Sequence, residues 1–265
     1  MIEALLYEKL DNHLVRCDVC GHHCLIKEGR KGICGVRESR QGKLFALNYS
    51  LTAAQAIDPI EKKPLYHFLP GTKTYSLATV GCNLHCQWCQ NWTLSQYPVL
   101  SGTVSGNPVE PGDHVRKALR SGCPSLSYTY SEPTIFLEYA LDIMRLAKES
   151  GLKNIWVTNG FMSRSTLNLI LPYLDAANVD LKAPSDGTYE RFCGGNVERV
   201  MDNLVVMAKA GIHLEITTLV IPKVNDEDDQ LRQIANFTAR SLGTKVPWHI
   251  SRFYPCWQMK DSPIT

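Results

Sequence analysis

Tyr75-Ser76-Leu77-Ala78-Thr79-Val80-Gly81-Cys82-Asn83-Leu84-His85-Cys86-Gln87-Trp88-Cys89-Gln90-Asn91 sets an apolar, strand-like run directly before three cysteines in a CxxxCxxC spacing. Thiolates this close on one loop can hold three corners of a cubic iron-sulfur cluster and leave the fourth iron open. A closed, four-cysteine cluster suits electron transfer, whereas an open iron can bind a substrate or cofactor and act on it. The same residues also allow a zinc site completed by His85 or by a distant ligand.

Outward from this stretch, short apolar runs alternate with longer amphipathic ones. Tyr75 to Val80, Ser125 to Tyr130, Asn154 to Thr158, Ala177 to Leu181, Leu214 to Ile221 and Trp248 to Phe253 read as strands. Helical patterns lie at Asp113 to Arg120, Thr134 to Glu149, Ser165 to Leu171, Val197 to Ala210 and Asp226 to Arg240. Repeated strand-helix units predict an α/β fold of about six parallel strands, curled into a full or partial barrel. Sites on such folds gather at the strand C-terminal ends. There the triplet follows the first strand, Ser131 and Glu132 the second, Thr158 and Asn159 the third, and Asp180 and Lys182 end the fourth. Any one set alone is ordinary loop chemistry; four at one rim are what an open site requires.

Residues 1–70 are expected to form a small cysteine-rich lobe, with a strand at Leu44 to Tyr49 and an exit at Pro70-Gly71. Residues 71–265 are expected to form the barrel domain. At the end, Ser262 and Pro263 read as the cap and first position of a helix that does not follow, so a truncated or shortened C-terminus is expected.

With 44% hydrophobic residues in 265, the chain can bury a full core. Lys and Arg number 28 against 26 Asp and Glu, a net charge of +2 that gives no bulk argument for a nucleic-acid or membrane partner. Met1 to Leu6 is too short and too acidic for a signal peptide, and no run reaches membrane-spanning length, so a cytoplasmic protein is expected. Seven of the 10 cysteines fall in two tight groups, which reads as metal binding rather than disulfides.

The triplet, with Trp88 just before its last cysteine, resembles the radical S-adenosylmethionine (radical SAM) superfamily. Together with Asp58-Pro59-Ile60-Glu61-Lys62-Lys63-Pro64-Leu65-Tyr66-His67-Phe68 and Tyr130-Ser131-Glu132-Pro133, it resembles the AmmeMemoRadiSam-system enzymes, relatives of pyruvate formate-lyase activating enzymes. The resemblance covers nearly the whole chain, and its strings carry no substrate information. It implies a partial radical SAM barrel and a [4Fe-4S] cluster on Cys82, Cys86 and Cys89, whose open iron chelates the amino and carboxylate groups of SAM. An electron, from a donor such as flavodoxin or ferredoxin, then splits SAM into methionine and a 5'-deoxyadenosyl radical. That radical abstracts hydrogen, either from a protein glycine, as an activase does, or from another protein, peptide or small molecule.

The resemblance also implies roles around the cluster. Trp88 borders the adenine; a packed aromatic is the plain alternative. Asn91 either bonds near the cluster or stabilises its loop. Tyr130-Ser131-Glu132-Pro133 stands where the family has Gly-Gly-Glu-Pro, whose backbone accepts bonds from the SAM ammonium; both glycines are replaced here. Glu132 alone reads as a helix N-terminal acid. Val157-Thr158-Asn159-Gly160 resembles the activases' Asp-Thr-Asn-Gly without its acid, and Asp180-Leu181-Lys182 their Asp-Leu-Lys. In those relatives the two acids help hold a monovalent cation, which the missing acid puts in doubt. Asn159, Asp180 and Lys182 remain candidate SAM contacts, with a plain Asp180–Lys182 ion pair as the alternative.

Cys17, Cys20, Cys24 and Cys34 make the second group. They can close a structural zinc site, with His22 or His23 as substitute ligands, or hold an auxiliary iron-sulfur cluster. His249 either faces the site or is a satisfied core histidine. Cys123, Cys193 and Cys256 read as buried small apolar groups. Asp58 to Phe68 either caps the SAM pocket or is a salt-bridged linker. The rival function is a non-catalytic zinc-binding interaction or RNA-binding module. A ferredoxin-like carrier is disfavoured by the missing fourth cysteine beside the triplet.

Overall fold

The computed structural model describes all 265 residues. Its centre is a seven-stranded sheet of β1 (Ala54–Pro59), β2 (Lys73–Ala78), β3 (Ser125–Tyr128), β4 (Lys153–Thr158), β5 (Ala176–Asp180), β6 (His213–Val220) and β7 (Trp248–Arg252), bonded in that order. From β2 to β7 the strands run parallel, as the alternation of apolar runs and helices predicts. β1 is antiparallel to β2, with Ala54 opposite Ala78. The sheet therefore reaches across residue 70 and takes its edge strand from the segment ahead of it. The architecture is an α/β sheet of partial-barrel type, open between β1 and β7.

Helices α1 (Pro111–Arg120), α2 (Leu137–Glu149), α3 (Arg164–Ile170), α4 (Asp186–Phe192), α5 (Val197–Lys209) and α6 (Asp228–Phe237) lie between the strands. Their starts are chemically marked: the Ser163 hydroxyl accepts from Thr166 N (3.0 Å), Asn196 Oδ1 accepts from Arg199 N (3.1 Å), and Glu227 and Gln230 form a capping box. Leu126, Trp156 and Ala177 are fully buried in the three adjacent strands β3, β4 and β5, as expected of a parallel sheet covered by helices. The helical pattern beginning at Thr134 opens with a short 3-10 turn, Pro133–Phe136, before α2. The pattern ending at Arg240 finishes in a π-turn, Thr238–Leu242.

Ahead of the sheet lie two small antiparallel sheets. One joins Ile2–Glu3, Lys43–Ala46 and Arg37–Arg40; the other joins Tyr7–Lys9, Val15–Cys17 and Leu25–Ile26. They dock through a buried two-point ion pair, Arg37 donating to Glu138 at 2.7 and 3.0 Å. Burial opposes ionisation of Glu138, but the Arg37 charge outweighs it and holds the carboxyl below its ordinary value. Docking also runs through the loop after β4 and the start of α3: Gly21 N donates to the Phe161 carbonyl (3.1 Å) and Thr166 Oγ1 to the Val19 carbonyl (2.7 Å).

The segment after β1 closes the lower end of the barrel. Ile60 and Leu65 pack on Ile155 and Ala176, and Asn178 Nδ2 donates to the Pro64 carbonyl (3.0 Å). At the other terminus the chain after Ser262 is not helical. It folds back on β7, where Phe253 N donates to Thr265 Oγ1 (3.0 Å) and Arg252 Nε to the Thr265 carbonyl (2.7 Å). No helix is long and apolar enough to cross a membrane.

Candidate cofactor site

The C-terminal ends of the parallel strands surround a cavity of ≈ 630 Å³, a size that suits a cofactor or small molecule. Cys82, Cys86, Cys89 and Trp88 line it from the loop after β2, Ser131 and Glu132 from that after β3, Asn159 from that after β4, and Asp180 and Lys182 from the end of β5. Lys62, Lys63 and Pro64, from the segment after β1, form its floor, and Ser251 and Arg252 of β7 its far wall. Of the Asp58 to Phe68 stretch, Lys62 to Pro64 reach the cavity, and the stretch is salt-bridged as well, Asp58 pairing with Lys62 (2.9 Å) and Lys63 (2.6 Å).

The cysteine loop leaves β2 through Gly81, at φ 108°. A Cβ there would stand 2.9 Å from Val36 Cγ1 and 3.2 Å from the Cys34 carbonyl oxygen, so only glycine fits. Cys82 Sγ accepts from Leu84 N (3.4 Å) and Asn159 Nδ2 (3.7 Å), and Cys89 Sγ lies 3.2 Å from Ser95 Oγ. Burial pushes the Cys82 and Cys89 thiols up, while the neighbouring Cys193 thiol draws Cys86 down. Buried sulfurs with donors turned towards them favour thiolates only when a cation shares the site. This soft donor set fits an iron-sulfur cluster. His85 Nδ1 is taken by Gln96 Oε1 (2.6 Å).

Tyr130 has φ 65°, the left-handed region that glycine enters freely and tyrosine does not. Its hydroxyl donates to Asp58 Oδ2 and Lys63 Nζ sits 4.4 Å above its ring, which together hold the strained residue against β1. Ser131 Oγ donates to the Thr79 carbonyl (2.7 Å). Both glycine replacements therefore direct their side chains into protein contacts. Glu132 is buried and fully engaged: it accepts from Thr134 N (3.1 Å), Thr134 Oγ1 (2.6 Å), Thr158 Oγ1 (2.7 Å) and Asn159 N (2.8 Å). Burial nonetheless pushes its pKa up.

Lys182 Nζ pairs with Asp180 Oδ2 at 2.9 Å. Burial disfavours its charge, but Asp180 and the thiols of Cys86 and Cys193 outweigh that and raise its pKa well above the ordinary value. The result is a permanent cation beside the cysteine loop. Trp88 is buried against Phe192, ring centroids 6.0 Å apart, at the cavity wall. Asn91 also reaches the wall, and its carbonyl accepts from Leu94 N (3.0 Å) and Ser95 N (2.9 Å).

Cys17, Cys20, Cys24 and Cys34 line a second, narrow space of ≈ 10 Å³, among Val19, Ile26 and Ile135. Burial pushes Cys17 up to about 12 and raises Cys20 and Cys34 as well. Arg37 also lines this space, and its buried Nε has no hydrogen-bond partner. An orphaned donor beside four cysteines, three of them buried, fits a thiolate-held metal group, which would supply acceptors. His22 also lines this space, with its Nε2 2.7 Å from the Asn83 carbonyl, and His23 Nδ1 is 3.0 Å from Asp18, so each imidazole has one ring nitrogen engaged by the protein.

Several neighbours of the site were not legible in sequence. Cys193, on the turn after α4, packs beside Cys86, and Cys256 Sγ donates to the Cys89 carbonyl (3.6 Å). Both are isolated along the chain, with no motif around them. His249 faces Glu215, below the cavity. A charge within His213-Leu214-Glu215-Ile216 was the one signal that this strand carries polar work.

A parallel α/β sheet with three cysteines and three further polar strand ends around one cavity defines the class: an α/β protein with a cysteine-lined cavity at its barrel mouth. Residues 76–235 match the Radical SAM superfamily, and the chain belongs to it. The chain is 43% identical over 265 residues to the uncharacterized protein MJ0808 of Methanocaldococcus jannaschii, covering 100% of this chain and 78% of that one. It is 25% identical over 174 residues to the pyruvate formate-lyase-activating enzyme of Clostridium pasteurianum, covering 63% and 69%. Among solved structures, Streptococcus suis SuiB bound to S-adenosylmethionine aligns with a TM-score of 0.54 at 15% identity over 71% of this chain and 42% of that one. TYW1 with a lysine-pyruvate adduct bound aligns at 0.53 and 15%, over 80% and 78%. These two share the fold.

Proposed function

We propose that Cys82, Cys86 and Cys89 hold an open-coordination [4Fe-4S] cluster and that S-adenosylmethionine occupies the adjoining cavity. When bound, the cluster supplies the electron that cleaves S-adenosylmethionine reductively to methionine and a 5'-deoxyadenosyl radical, the agent of hydrogen abstraction. The observation that carries this reading is the convergence of the triplet and the polar strand ends on one cavity of ≈ 630 Å³.

The protein's own residues then have defined tasks. Asn159 Nδ2 donates towards Cys82 Sγ and tunes that sulfur. Glu132, its oxygens occupied by Thr134, Thr158 and Asn159, positions the rim rather than contacting the cofactor through its side chain. The Lys182 cation and its Asp180 partner offer charge to the polar end of the cofactor, and Trp88 keeps water from one wall.

An activase-like target, a glycine of a partner protein, is the substrate reading favoured by the similarity to pyruvate formate-lyase-activating enzymes, with flavodoxin or ferredoxin as the electron donor in a reducing cytoplasm. The cysteine quartet holds a second metal group, zinc or iron-sulfur, in the N-terminal lobe ahead of the barrel's edge strand Ala54–Pro59; the orphaned Arg37 Nε supports it. The test is anaerobic reconstitution, reduction and addition of S-adenosylmethionine. The expected products are 5'-deoxyadenosine and methionine, and their absence with an intact cluster overturns the reading. Iron retained in Cys82→Ala assigns the quartet to iron-sulfur; zinc alone assigns it to zinc.

A further inference from the structure

Beneath the cavity, three imidazoles converge on one buried carboxylate. Glu215 of β6 is fully buried. Its oxygens lie 2.6 Å from His249 Nε2, 2.9 Å from His213 Nε2 and 3.4 Å from His67 Nδ1. They also accept from the main-chain nitrogens of Tyr66 (3.1 Å) and His67 (2.9 Å). Thr217 and Ser251, two residues further along the same strands, line the cavity above. Since residues i and i+2 share a strand face, the cluster sits one side-chain layer below the cavity.

A carboxylate offers about four lone-pair directions, yet five nitrogens approach this one. All three ring contacts are hydrogen bonds only if each imidazole turns an N–H inward, and the count leaves the most distant, His67 Nδ1, without a site. A bound cation removes the conflict by letting ring nitrogens present lone pairs instead of protons. The ligand atoms of His67, Glu215 and His249 already lie within 4.8 Å of one another. The His67 side chain is 62% exposed, and a cleft of ≈ 480 Å³ lined by His67 and His213 leads to the group, so an ion can enter without unfolding.

We propose that His67, Glu215 and His249 bind a divalent transition-metal ion such as zinc, with His213 holding the second carboxylate oxygen. Imidazole nitrogens with one carboxylate oxygen suit that class of ion, and no sulfur takes part. The ion ties the segment carrying Lys62 and Lys63, the cavity floor, to β6 and β7. The inference is independent of what the cysteine groups hold.

The test uses the full chain with both cysteine groups reconstituted, titrated anaerobically with Zn²⁺ and followed by calorimetry, metal analysis and zinc X-ray absorption. One Zn²⁺ per chain beyond any held before the titration is expected, and the difference between the spectra after and before titration should show nitrogen and oxygen neighbours at about 2.0–2.1 Å rather than sulfur at about 2.3 Å. His67→Ala changes an exposed side chain and leaves the core intact, and it should weaken binding at least about 10-fold. Glu215→Gln should weaken it further. A sulfur shell around the added zinc, no added zinc bound, or equal affinity in the parent and His67→Ala each overturns the proposal.

Discussion

The two cysteine groups differ less in their sulfurs than in what surrounds them. The quartet of Cys17, Cys20, Cys24 and Cys34 faces a narrow space of ≈ 10 Å³ walled by Val19, Ile26 and Ile135. The triplet opens on a cavity of ≈ 630 Å³ edged by strand-end polar groups. The first surrounding suits a closed site that holds a lobe together, and the second leaves room for a reacting molecule. The two are also mechanically joined. His22, inside the quartet's loop, bonds the Asn83 carbonyl next to Cys82, and Asn83 Oδ1 accepts from Asn159 Nδ2 at 2.8 Å. A closed site thus braces the rim of an open one.

Removing one sulfur from each group tests that contrast most severely. Cys86→Ala should reduce 5'-deoxyadenosine formation to background while the quartet keeps its metal and the chain its fold, measured by product assay, metal analysis and circular dichroism. Cys20→Ala should do the reverse: loss of the quartet's metal and more than about 4 kcal/mol of stability, read by denaturant unfolding, with the triplet still binding iron. Equal loss of stability in both variants would erase the distinction between the groups.

Smaller effects sharpen the brace. Arg37→Met leaves Glu138 buried without its partner and should cost about 3–5 kcal/mol; adding Glu138→Leu should restore much of that in the same unfolding experiment. Tyr130→Phe removes the donor to Asp58 and should cost about 1.5–3 kcal/mol, with a loosened cavity floor seen as faster hydrogen exchange at residues 60–68.

The mildest test is pH. Glu138 has a folded pKa below its ordinary value of 4.5. Its pairing with Arg37 therefore contributes fully above about pH 4.5 and is lost as pH falls through the lower folded value. Acid should loosen the N-terminal lobe before the barrel. The amide of Leu5, which donates to Glu138 Oε1 at 3.0 Å, should show this as lost exchange protection on going from about pH 5 to pH 3. Arg37→Met should flatten the response.

Much of the barrel was readable because parallel strands buried on both faces are nearly continuous apolar runs, and all six such runs are strands of the sheet. β1 escaped notice because Gln55, Asp58 and Pro59 interrupt its pattern. An edge strand tolerates both polar residues and proline, so the interruption does not prevent pairing. At the site, the triplet and the strand-end sets were readable as local strings. Their partners were not, because Arg37 and Glu138 stand 101 residues apart and Cys86 meets Cys193 only through the turn after α4.

By itself, then, the sequence determined the chemistry within reach of one short loop: three thiolates at a spacing that suits a cluster, after a strand and before a run of strand-helix units. Spacing along a loop is a local property, and local sequence dictates it. Tertiary structure alone decided that one cysteine group faces a space of ≈ 10 Å³ and the other a cavity of ≈ 630 Å³, that Tyr130 is held in a glycine-like conformation by Asp58 and Lys63, and that three histidines meet Glu215 beneath the cavity. Those outcomes depend on which surfaces pack together and exclude water. No stretch of chain encodes that until the sheet has formed.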